Sequence, residues 1–280
     1  MAKANTKTEK ETLPALQQKM ELAAPIAFDA DAGAGMECAT SESFAIPFLG
    51  VLQKGSPTVD EALPTYVEGH KSGMLYENVT GRTFDGKVGV ILVPCAYRRV
   101  FLRWGPKGVE GSGFKGELTP EAVAQLRADG RVVDLDGRLY FPLPDGTVND
   151  KKCDRVADVR NHYCLLVDEK TGAWTQVLLS LGSTQIKKSK MLMSALASVK
   201  LTGAAGMYTP PTFANYVRCV SVPESNDKGA WHGMKFELSG CVGRVELYAA
   251  AKAFHASVAA GHTQAKYDDV QPVSGEDGRF

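Results

Sequence analysis

Between residues 44 and 181 the apolar residues come in short runs closed off by turn residues, and this punctuation constrains the fold more than any other feature. GKVGVILVP at 86–94 is a continuous apolar run bounded by turn residues, as a buried strand requires. VVDLDGRLYF at 132–141 places Asp136-Gly137 between two strand-like arms, which signals a type I′ hairpin. HYCLLVD at 162–168 and WTQVLLSL at 174–181 flank the turn-like EKTGA and read as a second hairpin. One short helix interrupts the pattern, with Thr119 as its cap, Pro120 at its first position and Gly130 just past its end.

After this β-rich stretch the period changes. A helix is expected from about Thr184 to Lys200, capped by Ser183, with Ile186, Met193, Leu196, Ala197 and Leu201 on its apolar side. MYTPPTFANYVRCVSVPE then reads as a Pro-led loop followed by a strand, NDKG at 226–229 as a turn, and AWHGMKFELSGCV as another strand. A last helix from about Val245 to Ala260 aligns Leu247, Ala251, Phe254 and Val258 and stops at Gly261. Residues 1–43 have few large apolar side chains and read as a flexible arm, residues 44–261 as a single domain, and residues 262–280 as a flexible acidic tail.

The chain has 280 residues, 44% hydrophobic and 23% charged, which is enough to bury a core without staples. No apolar run reaches 18 residues and the N-terminus lacks a secretory apolar core, so no membrane partner is expected and a cytoplasmic location is. The net charge is zero, yet the distribution is uneven. Residues 97–116 carry five basic groups against Glu110, and residues 183–236 carry seven against Glu224 and Asp227.

Both basic stretches also contain rings. Trp104 lies in the first, and Tyr208, Phe213, Tyr216 and Trp231 in the second. Cations that track phosphates, interleaved with rings that stack on unpaired bases, are what a single-stranded nucleic-acid groove needs. The same composition also fits core rings beside a solvated lysine face. Lys187, Lys188 and Lys190 fall in the first turns of the expected helix, where the macrodipole disfavours cations unless an anion is bound. If YRRVFLRW at 97–104 is a strand, Tyr97, Arg99, Phe101 and Arg103 share one face, with Arg98, Val100, Leu102 and Trp104 on the other.

Catalytic and metal motifs fare poorly. GRTFDGKV at 81–88 matches the start of a P-loop, but Val88 stands where Ser or Thr must hold the metal, and a strand follows instead of a helix. GVEGSGFKG at 108–116 reads as a hairpin tip. Cys153, His162 and Cys164 match no standard zinc spacing, so no metal or other cofactor is expected. No catalytic dyad stands out, and a binding role is expected over an enzymatic one.

Four stretches, FAIPFLGVLQKGSP at 44–57, STQIKKSKMLMSALASVKL at 183–201, MYTPPTFANYVRCVSVPESNDKGAWHG at 207–233 and ELYAAAKAFH at 246–255, resemble a family of tailed-bacteriophage proteins. That family belongs to the replication and recombination region of phage genomes and is treated as single-stranded DNA-binding. The chain also resembles podophage single-stranded DNA-binding proteins, which have an OB-fold core and an acidic tail ending in phenylalanine. Here Phe280 follows Glu276 and Asp277, although Arg279 intervenes and the tail is short.

The resemblances imply an α+β fold with a β-rich, OB-like core, added helices and flexible acidic termini. They also imply sequence-independent binding of single-stranded DNA in the cytoplasm of the infected host. Lys187, Lys188, Lys190, Arg98, Arg99 and Arg103 are the expected phosphate contacts, and Trp104, Tyr208, Phe213, Tyr216 and Trp231 the candidate stacking rings. Glu276, Asp277 and Phe280 would dock phage replication proteins. The alternative is a non-enzymatic phage structural or host-interaction protein that uses the same surface for protein contacts.

Overall fold

The computed structural model describes residues 31–39, 43–106, 108, 112–227 and 229–267. Met1–Phe44 and Ala45–Phe280 are separate compact units. In the first, residues 31–39 form successive turns, with the Ala34 N–H donating to Asp31 O and the Met36 N–H to Gly33 O. The remaining description concerns the second unit.

Three short strands, β1 (Leu49–Val51), β2 (Leu75–Glu77) and β3 (Thr83–Phe84), form a small antiparallel sheet. The main sheet begins with β4 (Val90–Gly105), which turns back through β5 (Gly113–Leu118). Helix α1 (Pro120–Ala128) leads to the hairpin of β6 (Val133–Leu135) and β7 (Arg138–Phe141), and then come β8 (Asp154–Val167) and β9 (Trp174–Gly182). A 3₁₀ turn, Ser183–Gln185, opens α2 (Ile186–Ser198). The short strands β10 (Leu201–Gly203) and β11 (Gly206–Tyr208) precede the long pair β12 (Asn215–Asn226) and β13 (Gly229–Cys241), and α3 (Val245–Ala259) closes the order.

The length of two strands organises the sheet. β4 has 16 residues and β8 has 14, and they pair antiparallel along nearly their whole length. At one end β12 pairs with Val90–Leu92 and β9 with Val159–Val167. At the other, β5 pairs with Phe101–Gly105 and β7 with Asp154–Val156. Two lobes therefore share one central pair, and the twist that accumulates along such long strands curls the sheet into an antiparallel half-barrel. Bulges between Pro94 and Ala96 and between Tyr216 and Val217 add local bend.

The small sheet packs on one face of the large one. The Leu178 N–H on β9 donates to Pro47 O at 2.8 Å, and the Gln53 side chain exchanges hydrogen bonds with the backbone N–H and C=O of His232 on β13, each at 2.8 Å. Leu49, Val51 and Leu75 thereby meet Leu92, Cys164, Val177, Leu179 and Met234 in one buried cluster. The opposite face of the sheet, with Val93, Val100, Leu102, Val159, Tyr163 and Leu165, is covered by α3 through Leu247, Ala251, Phe254 and Val258. Alternate residues of β8 supply both clusters, because successive side chains of a strand point to opposite faces.

Most local signals hold. Thr119 accepts from the Ala122 N–H at 3.2 Å with Pro120 behind it, Asp136 and Gly137 have φ of 53° and 77° as a type I′ turn demands, and Gly261 has φ of 79° just past α3. Asn226 and Gly229 face each other across the β12–β13 turn. The expected strand at 86–94 starts four residues late and runs on to Gly105, absorbing YRRVFLRW. Gly86 lies instead in the approach to β4, where its C=O accepts from the Ser221 N–H at 2.7 Å. A Cβ at residue 86 would lie 1.8 Å from Gly73 O, so this close backbone packing accounts for the second glycine of GRTFDGKV without any phosphate.

Three expectations need correction. No side chain caps α2, whose start is prepared by the 3₁₀ turn, and Ser183 sits at φ of 47°. Its buried face is Ser189, Leu192 and Leu196; Ala197 is exposed and Leu201 lies in β10. The helix is rotated to this face because Leu192 and Leu196 pack on Val217 and Ser189 bonds the buried His162. The segment 262–267 is docked rather than part of a free tail: Thr263 is buried, and Tyr267 accepts from Asn161 Nδ2 at 2.6 Å and packs against Phe48 and Phe114. Residues 1–30, read as part of an arm, and 268–280, including Glu276, Asp277 and Phe280, lie outside the described residues.

Candidate nucleic-acid interface

The face of β4 opposite α3 carries Tyr97, Arg99, Phe101 and Arg103, as strand alternation requires. Arg99 makes a two-pronged contact with Asp158 on the neighbouring β8, Nε to Oδ1 at 3.2 Å and Nη2 to Oδ2 at 2.8 Å. Those bonds raise the Arg99 pKa further. Arg160 Nη2 reaches the same Asp158 Oδ2 at 3.1 Å. Arg103 bonds Asp154 at 2.6 Å, and Lys115 from β5 bonds the other oxygen of Asp154 at 2.7 Å. The guanidinium carbons stand over rings, Arg99 5.0 Å from the Phe101 centroid and Arg103 3.9 Å from that of Phe141. Rings and cations do share this face, but acids from β8 partly neutralise it.

Arg98 belongs elsewhere. It points to the α3 side, where its Nη2 donates to Val258 O in the last turn of that helix.

A groove of about 550 Å³ opens beside Arg99. Its walls come from α1 through Val123 and Arg127, from the β6–β7 hairpin through Asp134, Asp136 and Arg138, and from β8 through Arg155 and Asp158. Ser183 and Ile186 close it at the start of α2. Four guanidinium-bearing residues, Arg99, Arg127, Arg138 and Arg155, thus face one groove with three aspartates. Two of those aspartates have other work: Asp134 Oδ1 accepts the Gly137 N–H of the hairpin turn, and Asp158 holds Arg99 and Arg160. Arg127 and Arg138 are exposed.

From the groove's α2 wall the lysines follow. Lys187 and Lys190 are exposed, whereas Lys188 is paired with Glu224 at 2.5 Å. The Glu224 carboxylate also accepts from Trp231 Nε1 at 3.1 Å. Gly233 makes room for this arrangement, since a Cβ there would come within 2.5 Å of Glu224 Oε2.

The five candidate rings separate by burial. Phe213 is in the core, packed against Tyr248 and His255 at 5.3 and 5.5 Å, so it offers no face for stacking. Trp104 meets Phe114 edge-on at 5.5 Å and packs on the core, as does Tyr216. Trp231 is half-buried beside Glu224. Tyr208 is the exposed one.

Sequence reasoning missed Arg127, Arg138 and Arg155. Arg127 falls in the last turn of a helix whose ends are legible, and Arg138 directly follows the Asp136-Gly137 turn. Their convergence depends on the pairing of β7 with β8.

Cys153, His162 and Cys164 do not form a site. All three are buried, and among the described residues no group of three or more His, Cys, Asp or Glu side chains is arranged to hold a metal. Burial pushes the Cys95 and Cys219 thiols up to about 12 and raises Cys164 as well, which keeps them protonated and unreactive. No helix among the described residues is long and apolar enough to cross a membrane.

A protein-family model described as Pam3 phage gp34-like protein matches residues 16–264 of the chain. No curated protein and no solved structure matches it.

Proposed function

We propose that this chain, which belongs to the Pam3 phage gp34-like family, binds single-stranded DNA during phage DNA replication or recombination in the infected cell. One observation carries the reading: the Ser183–Ile186 corner joins a groove faced by Arg99, Arg127, Arg138 and Arg155 to the exposed Lys187 and Lys190. Phosphates passing the corner would meet guanidinium groups on one side and ammonium groups at a helix start on the other, where backbone N–H groups add to the field.

The curled half-barrel is read here as an OB-like scaffold, and such sheets bind oligonucleotides across an open face. Docking of replication proteins through Glu276, Asp277 and Phe280 belongs to the same proposal. The role is one of binding, without catalysis.

A fluorescence-polarisation titration with single- and double-stranded oligonucleotides at two salt concentrations tests it. Binding should favour the single strand and weaken with salt by a log–log slope of about −0.7 for each neutralised phosphate. The double variant Lys187→Glu, Lys190→Glu should abolish most of it. The alternative, a phage structural or host-interaction protein, draws on the exposed Met191 and Met207, and under it the lysine variant would change no nucleic-acid binding.

A further inference from the structure

β10 and β11 form a two-stranded ribbon apart from the main sheet, joined by Ala204-Ala205 between the paired Gly203 and Gly206. Residues 202–209 are all exposed, and Tyr208 is 48% so. A single exposed ring is ordinary on a protein surface, but this one lies against the ribbon over a glycine. A Cβ at residue 203 would lie 3.2 Å from the Tyr208 ring, so the glycine there lets the ring lie against the ribbon. The base of the ribbon is tied to the end of α2 through Lys200, whose ammonium donates to Ala197 O at 3.1 Å and also bonds Thr209 Oγ1.

Helix α2 runs from the groove corner at Ser183 and Ile186 to the end tied to this ribbon. Lys187, Lys190, Ser194 and Ser198 are exposed and follow one another at intervals of three or four residues, with the exposed Met191 beside Lys190, so they form one strip opposite the buried Ser189, Leu192 and Leu196. The strip spans roughly 16 Å from Lys187 to Ser198 at 1.5 Å per residue. Its charge lies at the groove end, and the ribbon that carries Tyr208 is tied to the other end of the helix.

We infer that the β10–β11 ribbon is a stacking arm, with the Tyr208 ring receiving an unpaired base of a strand whose phosphates are held by Lys187 and Lys190. The inference rests on the single-stranded DNA reading above and gives that site a direction and a terminus. Stacking needs a flat π-face and no hydroxyl, whereas general apolar contact would use Met207, which is 78% exposed on the opposite face of the ribbon.

The test uses the full chain, a labelled single-stranded oligonucleotide and four ribbon variants, with thermal midpoints confirming that each folds. Tyr208→Ala should lose about 5- to 150-fold in affinity, the range for one stacked base, while Tyr208→Phe keeps wild-type affinity. Met207→Ala should stay within about twofold, and Gly203→Ala, which displaces the ring, should fall between Tyr208→Ala and wild type. An oligonucleotide carrying 5-iododeoxyuridine should crosslink at Tyr208.

If the wild type binds and Lys187→Glu, Lys190→Glu abolishes binding while Tyr208→Ala does not weaken it, the stacking arm is wrong and the DNA reading stands. Equal losses in Met207→Ala and Tyr208→Ala would also overturn stacking, in favour of a general apolar contact. Absence of wild-type binding overturns both.

Discussion

Glu224 Oε1 lies 2.5 Å from Lys188 Nζ, so one of the three clustered lysines at the start of α2 already has a carboxylate partner. The other oxygen of that carboxylate holds Trp231 Nε1. Glu224 therefore occupies both kinds of group that a nucleic-acid strand would use, a cation and a ring edge. Replacing it with Gln removes the competing charge and keeps most of the shape. Affinity for a single-stranded oligonucleotide should rise by roughly fivefold at most, the worth of one partly exposed ion pair. The salt slope should steepen by about 0.7 as Lys188 joins the phosphate contacts. An unchanged slope in Glu224→Gln would mean that Lys188 stays outside the path.

Asp158 carries a different weight because one of its partners is buried. Arg160 is 6% exposed and its Nε has no partner, so Asp158 is the anion that its guanidinium reaches, while Arg99 on the other side is open to water. Asp158→Ala should destabilise the fold by about 3 kcal/mol, the cost of leaving a buried charge uncompensated. Asp158→Ala combined with Arg160→Met should recover much of that loss. Urea unfolding of the two variants distinguishes this from a simple surface ion pair, whose loss would cost under about 1 kcal/mol.

The elements that were legible in the sequence rest on neighbours along the chain. Thr119-Pro120, Asp136-Gly137 and the series Leu247, Ala251, Phe254, Val258 each specify a cap, a turn or a face within a few residues, and the fold keeps all three. The partners of the basic cluster were not legible, because Asp154 and Asp158 meet Arg103 and Arg99 only through the β4–β8 register, 51 and 59 residues away in sequence. The face of α2 was misjudged for a related reason: Ser189 is polar, and only the distant His162 explains its burial. Among the rings, composition alone could not separate Phe213, which fills the core, from Tyr208, which does not.

Gly86 makes a sharp test of how the small sheet is joined to the large one. A Cβ at this position would lie 1.8 Å from Gly73 O and 2.7 Å from Ser221 Cβ. The nearest obstacle is backbone, so no side chain can swing away to relieve the overlap. Gly86→Ala should cost about 3 kcal/mol or more, whereas Gly81→Ser, with nothing within 4 Å of the added Cβ, should cost only the strain of its φ of 74°. Thermal midpoints of the two variants should differ by several degrees.

His162 should make the fold sensitive to mild acid. The imidazole is 1% exposed, with Nε2 2.7 Å from Ser189 Oγ and the Tyr97 ring 5.2 Å away, and burial pushes its pKa down to about 4. In the unfolded chain the same group takes up a proton near pH 6.5. The unfolded state therefore binds the extra proton first, and stability falls as the pH drops from about 6.5 to about 4, by on the order of 3 kcal/mol in total. Above pH 6.5 the group has no effect on the slope. Because Ser189 ties His162 to α2, the loss should be felt where the exposed lysines stand. Urea midpoints at pH 7.5, 6 and 5 should decline for the wild type and decline less for His162→Gln. Parallel declines in both would assign the acid sensitivity to other groups.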